Sequence, residues 1–276
     1  MITGKAKLAG VMGWPVGHSR SPRLHGFWLQ TYKIDGAYLP LAVAPGNLAD
    51  ALRALPKLGF QGVNLTIPHK EAALSTVDEL DEAAKRIGAV NTVVVKEDGS
   101  LFGSNTDGFG FIENIKADLP DWSPTAGPVV ILGSGGAARG VCVALLDAGA
   151  PEIILVNRTR AKAEKLAGEF NLSVGDWSAR ETEIENAALL VNTTSLGMQG
   201  QASLELSLQA LPAEAVVCDI VYTPLETELL QTAARRGNPV VDGLGMLLHQ
   251  ARPGFAAWFG VEPQVTEELR RFVLEE

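Results

Sequence analysis

Only two cysteines, Cys142 and Cys218, occur in 276 residues, and both sit in apolar sequence, as buried free thiols usually do. Two thiols so placed argue against disulfide staples and against a cysteine-based zinc site. Cations are also short: 23 Lys and Arg stand against 32 Asp and Glu, a formal net charge of −9. A chain this acidic does not grip nucleic acid or an anionic membrane through a broad basic face. No uninterrupted apolar stretch approaches the roughly 18 residues a membrane span requires. The opening, MITGKAKLAG, lacks a signal-peptide apolar core. The histidines, His18, His25, His69 and His249, are too scattered for a metal site read from sequence. What is present is ordinary for a folding chain: 46% hydrophobic and 20% charged residues, which excludes intrinsic disorder. The expectation is a soluble, cytoplasmic protein without a metal, of about two domains at roughly 150 residues each.

The charge is uneven. Residues 1–106 hold 11 cations against 9 anions, whereas residues 107–276 hold 12 against 23. Inside that acidic part Arg158, Arg160, Lys162 and Lys165 form a short basic run. Taken alone, such a run reads as a solvated helix face.

Strands and helices alternate almost throughout. Strands are expected at Leu8–Met12, Tyr38–Val43 and Gly62–Ile67, and helices from about Pro22, over Leu48–Leu58 and over Asp78–Ile87. Val90–Val95 and Ser100–Ser104 read as a hairpin turning at Asp98-Gly99. A helix follows over Phe109–Leu119. The stretch Asp118–Pro128, with three prolines and a glycine, reads as a connection between modules. Beyond it come strands at Val129–Leu132, Ile153–Val156, Ala187–Val191 and Ala215–Ile220. They are interleaved with helices to Leu146, over Ala161–Phe170 and over Thr227–Arg235. Helices at Leu244–Ala257 and Glu267–Leu274 close the chain. Nearly continuous apolar strands alternating with helices indicate a parallel sheet covered on both faces. The fold class is therefore α/β, in two modules.

Residues 129–140 read VVILGSGGAARG, an apolar strand running into Gly133-Ser134-Gly135-Gly136-Ala137-Ala138 and then a helix of small residues. Glycine allows the tight turn and lets a pyrophosphate approach a backbone without Cβ, facing the helix N-terminus. The bland alternative is a glycine turn needed only for helix–strand packing. The second strand selects the cofactor. An NAD site has an acid at its end to bind the ribose 2′-hydroxyl, but here the chain reads ILVNRTRAKAEKL, with Asn157 and Arg158 at that place. A guanidinium can bind a 2′-phosphate that a carboxylate would repel, so NADP is favoured over NAD.

The first module carries polar residues where packing alone would not want them. Ser19 and Ser21 lie in a Gly/Pro turn before a helix. Asn64 and Thr66 leave a strand on one face, and Lys70 follows just past its end. Asn91 lies in AVNTVVV, and Asn105, Thr106 and Asp107 precede a helix. Singly, Ser21 or Asp107 could be a helix cap and Asn91 a turn residue. Asn64 and Thr66 together need partners, and the set suits a small, polyhydroxylated, anionic ligand. The histidines read as structural, including His69 beside Lys70.

GWPVGHSRSPRLHG, GVNLTIPHK, GAVNTVVV, GSNTDGFGF, LGSGGAARG, NRT, NTTSLGM, DIVYTPLETELL and DGLGMLLHQA occur in this order. This series resembles the motifs of the shikimate dehydrogenase family from about residue 10 to residue 257. The resemblance implies a split substrate-binding catalytic domain, residues 1–106 and 243–276, around a Rossmann-like NADP-binding domain with a parallel sheet, residues 107–242. It implies Lys70 and Asp107 as the catalytic pair, and Ser19 and Ser21 at the substrate carboxylate. Asn64, Thr66, Asn91, Asp107 and Gln250 would hold the ring hydroxyls. Gly133, Ser134, Gly135, Gly136 and Ala137 would receive the pyrophosphate. Asn157, Arg158, Thr159 and Lys162 would lie at the 2′-phosphate. Val221, Tyr222, Gly243 and Met246 would lie at the nicotinamide end, with Tyr222 also touching substrate. Ser134 departs mildly from the alanine more usual there, and the Ser19-x-Ser21 pair implies shikimate over quinate.

The implied reaction is reversible reduction of 3-dehydroshikimate to shikimate by NADPH, in a monomer or homodimer. Two rivals stand beside it: an NAD-dependent quinate/shikimate dehydrogenase, and a ligand sensor of the same fold without turnover.

Overall fold

The computed structural model describes residues 2–275. In chain order the elements are β1 (Lys7–Gly13), α1 (Ser21–Thr31), β2 (Gly36–Ala42), α2 (Leu48–Ala54), β3 (Phe60–Leu65), β4 (Glu79–Leu80), α3 (Glu82–Ile87), β5 (Thr92–Val95), β6 (Leu101–Ser104) and α4 (Asp107–Asp118). They continue with β7 (Val129–Leu132), α5 (Gly136–Asp147), β8 (Ile153–Val156), α6 (Arg160–Phe170), β9 (Ser173–Gly175), α7 (Arg180–Glu183), β10 (Leu189–Asn192), β11 (Val216–Asp219), α8 (Glu228–Arg236), β12 (Val240–Val241), α9 (Gly243–Phe259) and α10 (Glu267–Leu274).

The chain forms two compact units, one running to Asp107 and resuming at Leu248, the other spanning Gly108–Leu247. The proline-rich stretch Asp118–Pro128 therefore does not join the two units. It lies inside the second, where it carries the chain from α4 to β7. The helix expected over Asp78–Ile87 is shorter. Glu79–Leu80 is a strand beside β6, and α3 begins only after Asp81, whose carboxylate accepts from the Ala84 N–H at 2.6 Å. A side-chain cap of this kind satisfies a donor that the first turn leaves open.

The first unit holds a mixed sheet of order β2-β1-β3-β5-β6-β4. β1 runs parallel to β2 and β3, while β5 is antiparallel to both β3 and β6. On one side of it α1 and the last turns of α9 interlock through fully buried Leu24, Trp28, Phe255 and Trp258. Trp258 also donates from Nε1 to the Val93 carbonyl at 3.1 Å, which pins α9 to β5.

The second unit is a parallel sheet of order β12-β11-β10-β7-β8-β9. Its central strands read as unbroken apolar runs because they feed two cores. Val129 and Ile131 pack into one, with α5; Val130 and Leu132 pack into the other, with α8. From β7 the chain builds outward through β8 and β9, then returns to add β10, β11 and β12 on the other side. That reversal opens a crevice at the carboxyl ends of β7 and β10, where α/β sheets of this kind bind ligands.

Candidate functional site

In the first unit, β3, the turn after it, β5 and the start of α4 bring the predicted polar residues together. β3 ends at Leu65, and beyond Pro68 the Lys70 carbonyl accepts from the Val90 N–H at 2.8 Å, which fixes the backbone there. Lys70 Nζ then donates to Asp107 Oδ2 at 2.6 Å, with both side chains partly open to solvent. The second carboxylate oxygen, Oδ1, accepts from Asn91 Nδ2 at 2.8 Å. Asn91 is buried, and the same nitrogen lies 3.3 Å from Gln250 Oε1. Its oxygen accepts from the Thr106 backbone at 2.9 Å. Asn91 lies at the bend that leads into β5 and is the centre of the cluster. Asp107 opens α4, and its own N–H donates to Asn105 Oδ1 at 3.0 Å.

Asn64 is buried and already engaged. Nδ2 donates to the Asn91 carbonyl and to Thr92 Oγ1, both at 3.1 Å, while Oδ1 accepts from Tyr38 Oη at 2.6 Å. Thr66 follows the end of β3 and is half-buried. Ser19 and Ser21 flank Arg20 at the start of α1, and Ser19 Oγ accepts from the Ser21 N–H at 3.3 Å. Two contributors escape the sequence reading: Tyr38, which reads there only as part of an apolar strand, and Thr92. A hydroxyl at one strand register opposite an asparagine on the next, Thr92 against Asn64, is the signal that could have found the second.

His69 takes the structural role expected of it, its Nε2 lying 2.8 Å from the Val43 carbonyl. His25 is fully buried, stacked on Tyr38 with ring centroids 3.9 Å apart and beside the Asn64 side chain. Burial pushes its pKa down to about 3, so the ring is neutral.

In the second unit the glycine turn leaves β7. Gly133 has φ +113°, and a Cβ there would lie 2.6 Å from Thr193 Oγ1, so packing alone demands glycine. Gly135 and Gly136 differ. A Cβ on either would meet nothing within 4 Å, so packing does not explain them. They border open space at the N-terminus of α5, whose first amides have no intrahelical acceptor, with Ser134 and Ala137 half-buried beside them. A cradle that side chains would fill, facing helix amides, fits a pyrophosphate.

The exit of β8 is held by Asn157 Nδ2 donating to the Thr159 carbonyl at 2.9 Å. Arg158, Thr159 and Lys162 are exposed there, with no carboxylate at the strand's end. The basic run is not uniform: Arg160 pairs with Glu164 at 2.8 Å. Among the described residues Arg158 and Lys162 have no ion-pair partner, so both can serve a phosphate. Gly243 opens α9 against the chain leaving β11. A Cβ on it would lie 2.4 Å from the Ile220 carbonyl and 2.7 Å from that of Val221. That close approach brings Val221 and Gly243 together, with Met246 one turn further on and Tyr222 half-buried beside Val221. A cavity of about 630 Å³ opens at the opposite, amino-terminal edge of this sheet, lined by Trp122, Pro128 and Glu214 among others. It touches neither the glycine turn nor the basic exit of β8.

The sequence matches two family descriptions: "Shikimate dehydrogenase substrate binding domain" over residues 11–93 and "Shikimate / quinate 5-dehydrogenase" over residues 120–221. It is 62% identical to shikimate dehydrogenase (NADP(+)) of Paramagnetospirillum magneticum, over 99% of this chain and 100% of that one. Among solved structures it is similar to shikimate 5-dehydrogenase of Thermus thermophilus in complex with NADP(H) and shikimate. The TM-score is 0.87 at 40% identity, covering 97% of this chain and 100% of that one. It is also similar to quinate dehydrogenase of Corynebacterium glutamicum in complex with NAD. There the TM-score is 0.90 at 32% identity, covering 98% of this chain and 99% of that one.

Proposed function

The chain belongs to the shikimate dehydrogenase family, and on that premise we propose which of its residues carry the activity. The protein is an NADP-dependent oxidoreductase that reduces 3-dehydroshikimate reversibly to shikimate. The observation that carries the assignment of residues is the 2.6 Å pair between Lys70 and Asp107, set among Asn91, Thr106 and Gln250. When bound, the nicotinamide supplies the hydride that the C3 carbonyl carbon takes up. Lys70, as an ammonium with donors beyond the one given to Asp107, hydrogen-bonds the C3 oxygen, stabilises the charge developing on it and donates its proton. Asp107 pairs with that lysine and aims it. Asn91 holds Asp107 through Oδ1 while Oδ2 stays with the lysine.

The remaining polar groups orient the substrate. Ser19 and Ser21 donate to its carboxylate. Asn64, Thr66, Asn91 and Gln250 hold its hydroxyls, and Tyr222 is a further substrate contact. For the cofactor, the open Gly135-Gly136 cradle with Gly133, Ser134 and Ala137 takes the pyrophosphate. Asn157, Arg158, Thr159 and Lys162 take the 2′-phosphate, and Val221, Gly243 and Met246 the nicotinamide end. Substrate thus belongs to the unit ending at Asp107 and resuming at Leu248, and cofactor to Gly108–Leu247. The same reading places the enzyme in the cytoplasm, where the buried thiols Cys142 and Cys218 stay reduced.

NAD-dependent turnover of quinate is disfavoured by the unpaired Arg158 and Lys162, and a non-catalytic sensor would have no use for an intact Lys70–Asp107 pair. Lys70→Ala tests the assignment. It lowers kcat by a factor of roughly 10² or more, with a much smaller change in the KM for shikimate, because the serines and carboxamides remain. A kcat near that of the parent rejects the role given to Lys70. Rates with shikimate and quinate, each with NADP and NAD, separate the rival substrate and cofactor.

A further inference from the structure

Polar residues end two neighbouring strands of the cofactor unit at one register level. Asn192 of β10 stands beside Asp219 of β11, and Leu132 of β7 is the next partner in the row. Both polar residues are buried, Asn192 fully and Asp219 to 2% exposure. Asp219 Oδ1 accepts from Asn192 Nδ2 and from the Val221 N–H, each at 3.0 Å. Its Oδ2 accepts from Thr227 Oγ1 at 2.8 Å. Thr227 in turn caps α8 by accepting from the Leu230 N–H. Asn192 extends the network the other way: its Oδ1 accepts from the backbone and hydroxyl of Thr194 at 3.1 and 2.7 Å. The intervening Thr193 donates to the Leu132 carbonyl at 2.7 Å and packs where a Gly133 side chain would go. One carboxylate therefore ties together the turn after β11, the cap of α8 and the loop behind the glycine turn.

A carboxylate kept in such a place is costly in stability. Burial pushes its pKa up to about 6, so at neutral pH the fold holds a desolvated anion. Groups retained at that cost commonly serve a site. We infer that Asp219 is a positioning residue for the nicotinamide end of the cofactor site, its Oδ1 fixing the Val221 backbone against Gly243. The inference rests on the reading of Val221 and Gly243 as nicotinamide contacts.

The effect comes from where the acceptor oxygen sits, which sets the pattern of variants. Asp219→Ala removes the oxygen and frees Val221. Asp219→Glu keeps a carboxylate but displaces it by one methylene. Asp219→Asn can present its amide oxygen to Val221 and Asn192 and its NH2 to Thr227 Oγ1, so it preserves the position while discarding the charge. The test measures the KM for NADPH and for shikimate, the dissociation constant for NADPH, and the melting temperature of each full-length variant. Asp219→Ala and Asp219→Glu are expected to raise the KM and dissociation constant for NADPH by roughly 10-fold, as for loss of one well-placed buried acceptor, with the KM for shikimate near the parental value. Asp219→Asn is expected to stay within about 3-fold of the parent for NADPH and to melt no lower. If Asp219→Ala does not fold, Asp219→Glu against Asp219→Asn carries the comparison. Variants that melt lower yet keep the parental KM for NADPH overturn the inference, as does an Asn variant as impaired as the Glu variant. A parent enzyme that binds NADPH no better than NADH would overturn instead the reading of the basic exit of β8, leaving the Asp219 comparison to be made with whichever cofactor binds.

Discussion

Arg158 is the exposed residue to which the proposed reading gives the 2′-phosphate. It stands where β8 ends, next to a turn braced by Asn157 and Thr159, and no carboxylate neutralises it. A guanidinium in that position contributes through charge-assisted hydrogen bonds to a dianionic group. Arg158→Ala should therefore cost roughly 1.5–3 kcal/mol of NADP binding, or about 10- to 100-fold in affinity, while affinity for NAD hardly moves. Titration of both cofactors into both proteins reads this directly, and equal losses would mean that Arg158 supports the fold. Arg160, two residues on, carries the same charge but is spent on Glu164 at 2.8 Å. Its replacement should leave discrimination between the cofactors intact. Sequence alone saw four cations there; only the side-chain pairing separates those free to read a phosphate from those that are not.

At the level of elements, α1 settles a choice that the sequence left open. Ser21 could have been the N-cap of a helix starting at Pro22. Instead the helix starts at Ser21 itself, and Arg20 occupies the cap position without a side-chain cap bond, while Ser19 Oγ accepts from the Ser21 N–H of the first turn at 3.3 Å. Removing the Ser21 hydroxyl therefore forfeits no N-cap bond, and removing that of Ser19 forfeits one long 3.3 Å contact, weaker than a good cap worth about 1 kcal/mol. Ser19 is half-buried and Ser21 buried, its side chain hydrogen-bonded to Tyr38, both near the helix N-terminus where the dipole favours an anion. The Ser19→Ala/Ser21→Ala double variant should show a sharply raised KM for shikimate, with a melting temperature close to the parent's. It should also lose its preference for shikimate over the analogue carrying an amide in place of the carboxylate. A variant that melts several degrees lower with a parental KM would show that the carboxylate is held elsewhere.

For the whole molecule, the buried His25 sets a pH limit. Its pKa falls from 6.5 to about 3 on folding because the ring is sealed among Tyr38, Trp28 and Phe255. Between those values the unfolded chain binds a proton that the folded chain refuses. The stability it contributes is therefore complete above about pH 6.5 and is lost as pH falls toward 3, by as much as about 5 kcal/mol at the lower end. Melting temperatures measured from pH 7 to pH 4 should fall more steeply for the parent than for His25→Phe, which keeps an aromatic ring but cannot take up a proton. Parallel curves would show that other groups govern acid unfolding.

The sequence by itself determined whatever depends on local chemistry and periodicity. Unbroken apolar runs such as VVIL and IILV, alternating with helices, read as strands covered on both faces, and the glycine turn between such a strand and a helix of small residues suited an anion. The roles given to Lys70, Asp107, Asn91 and the two serines came from the resemblance of the motifs, whereas Asn64 and Thr66 stood out because two polar groups on one face of an apolar strand need partners. Tertiary structure decided which partners those are. Asn91, in sequence a plausible turn residue, grips Asp107 only because β5, α4 and α9 bring residues 91, 107 and 250 within hydrogen-bond reach. Gly133 and Gly135 look alike in a motif, yet one is fixed by Thr193 packing against it and the other faces open space. Asp219 read as the end of a buried strand until Asn192, Val221 and Thr227 closed around it. These contacts join residues from 2 to 159 positions apart. Local sequence specifies backbone shape, but which distant donor meets which acceptor is set only when the packed layers fix their distance.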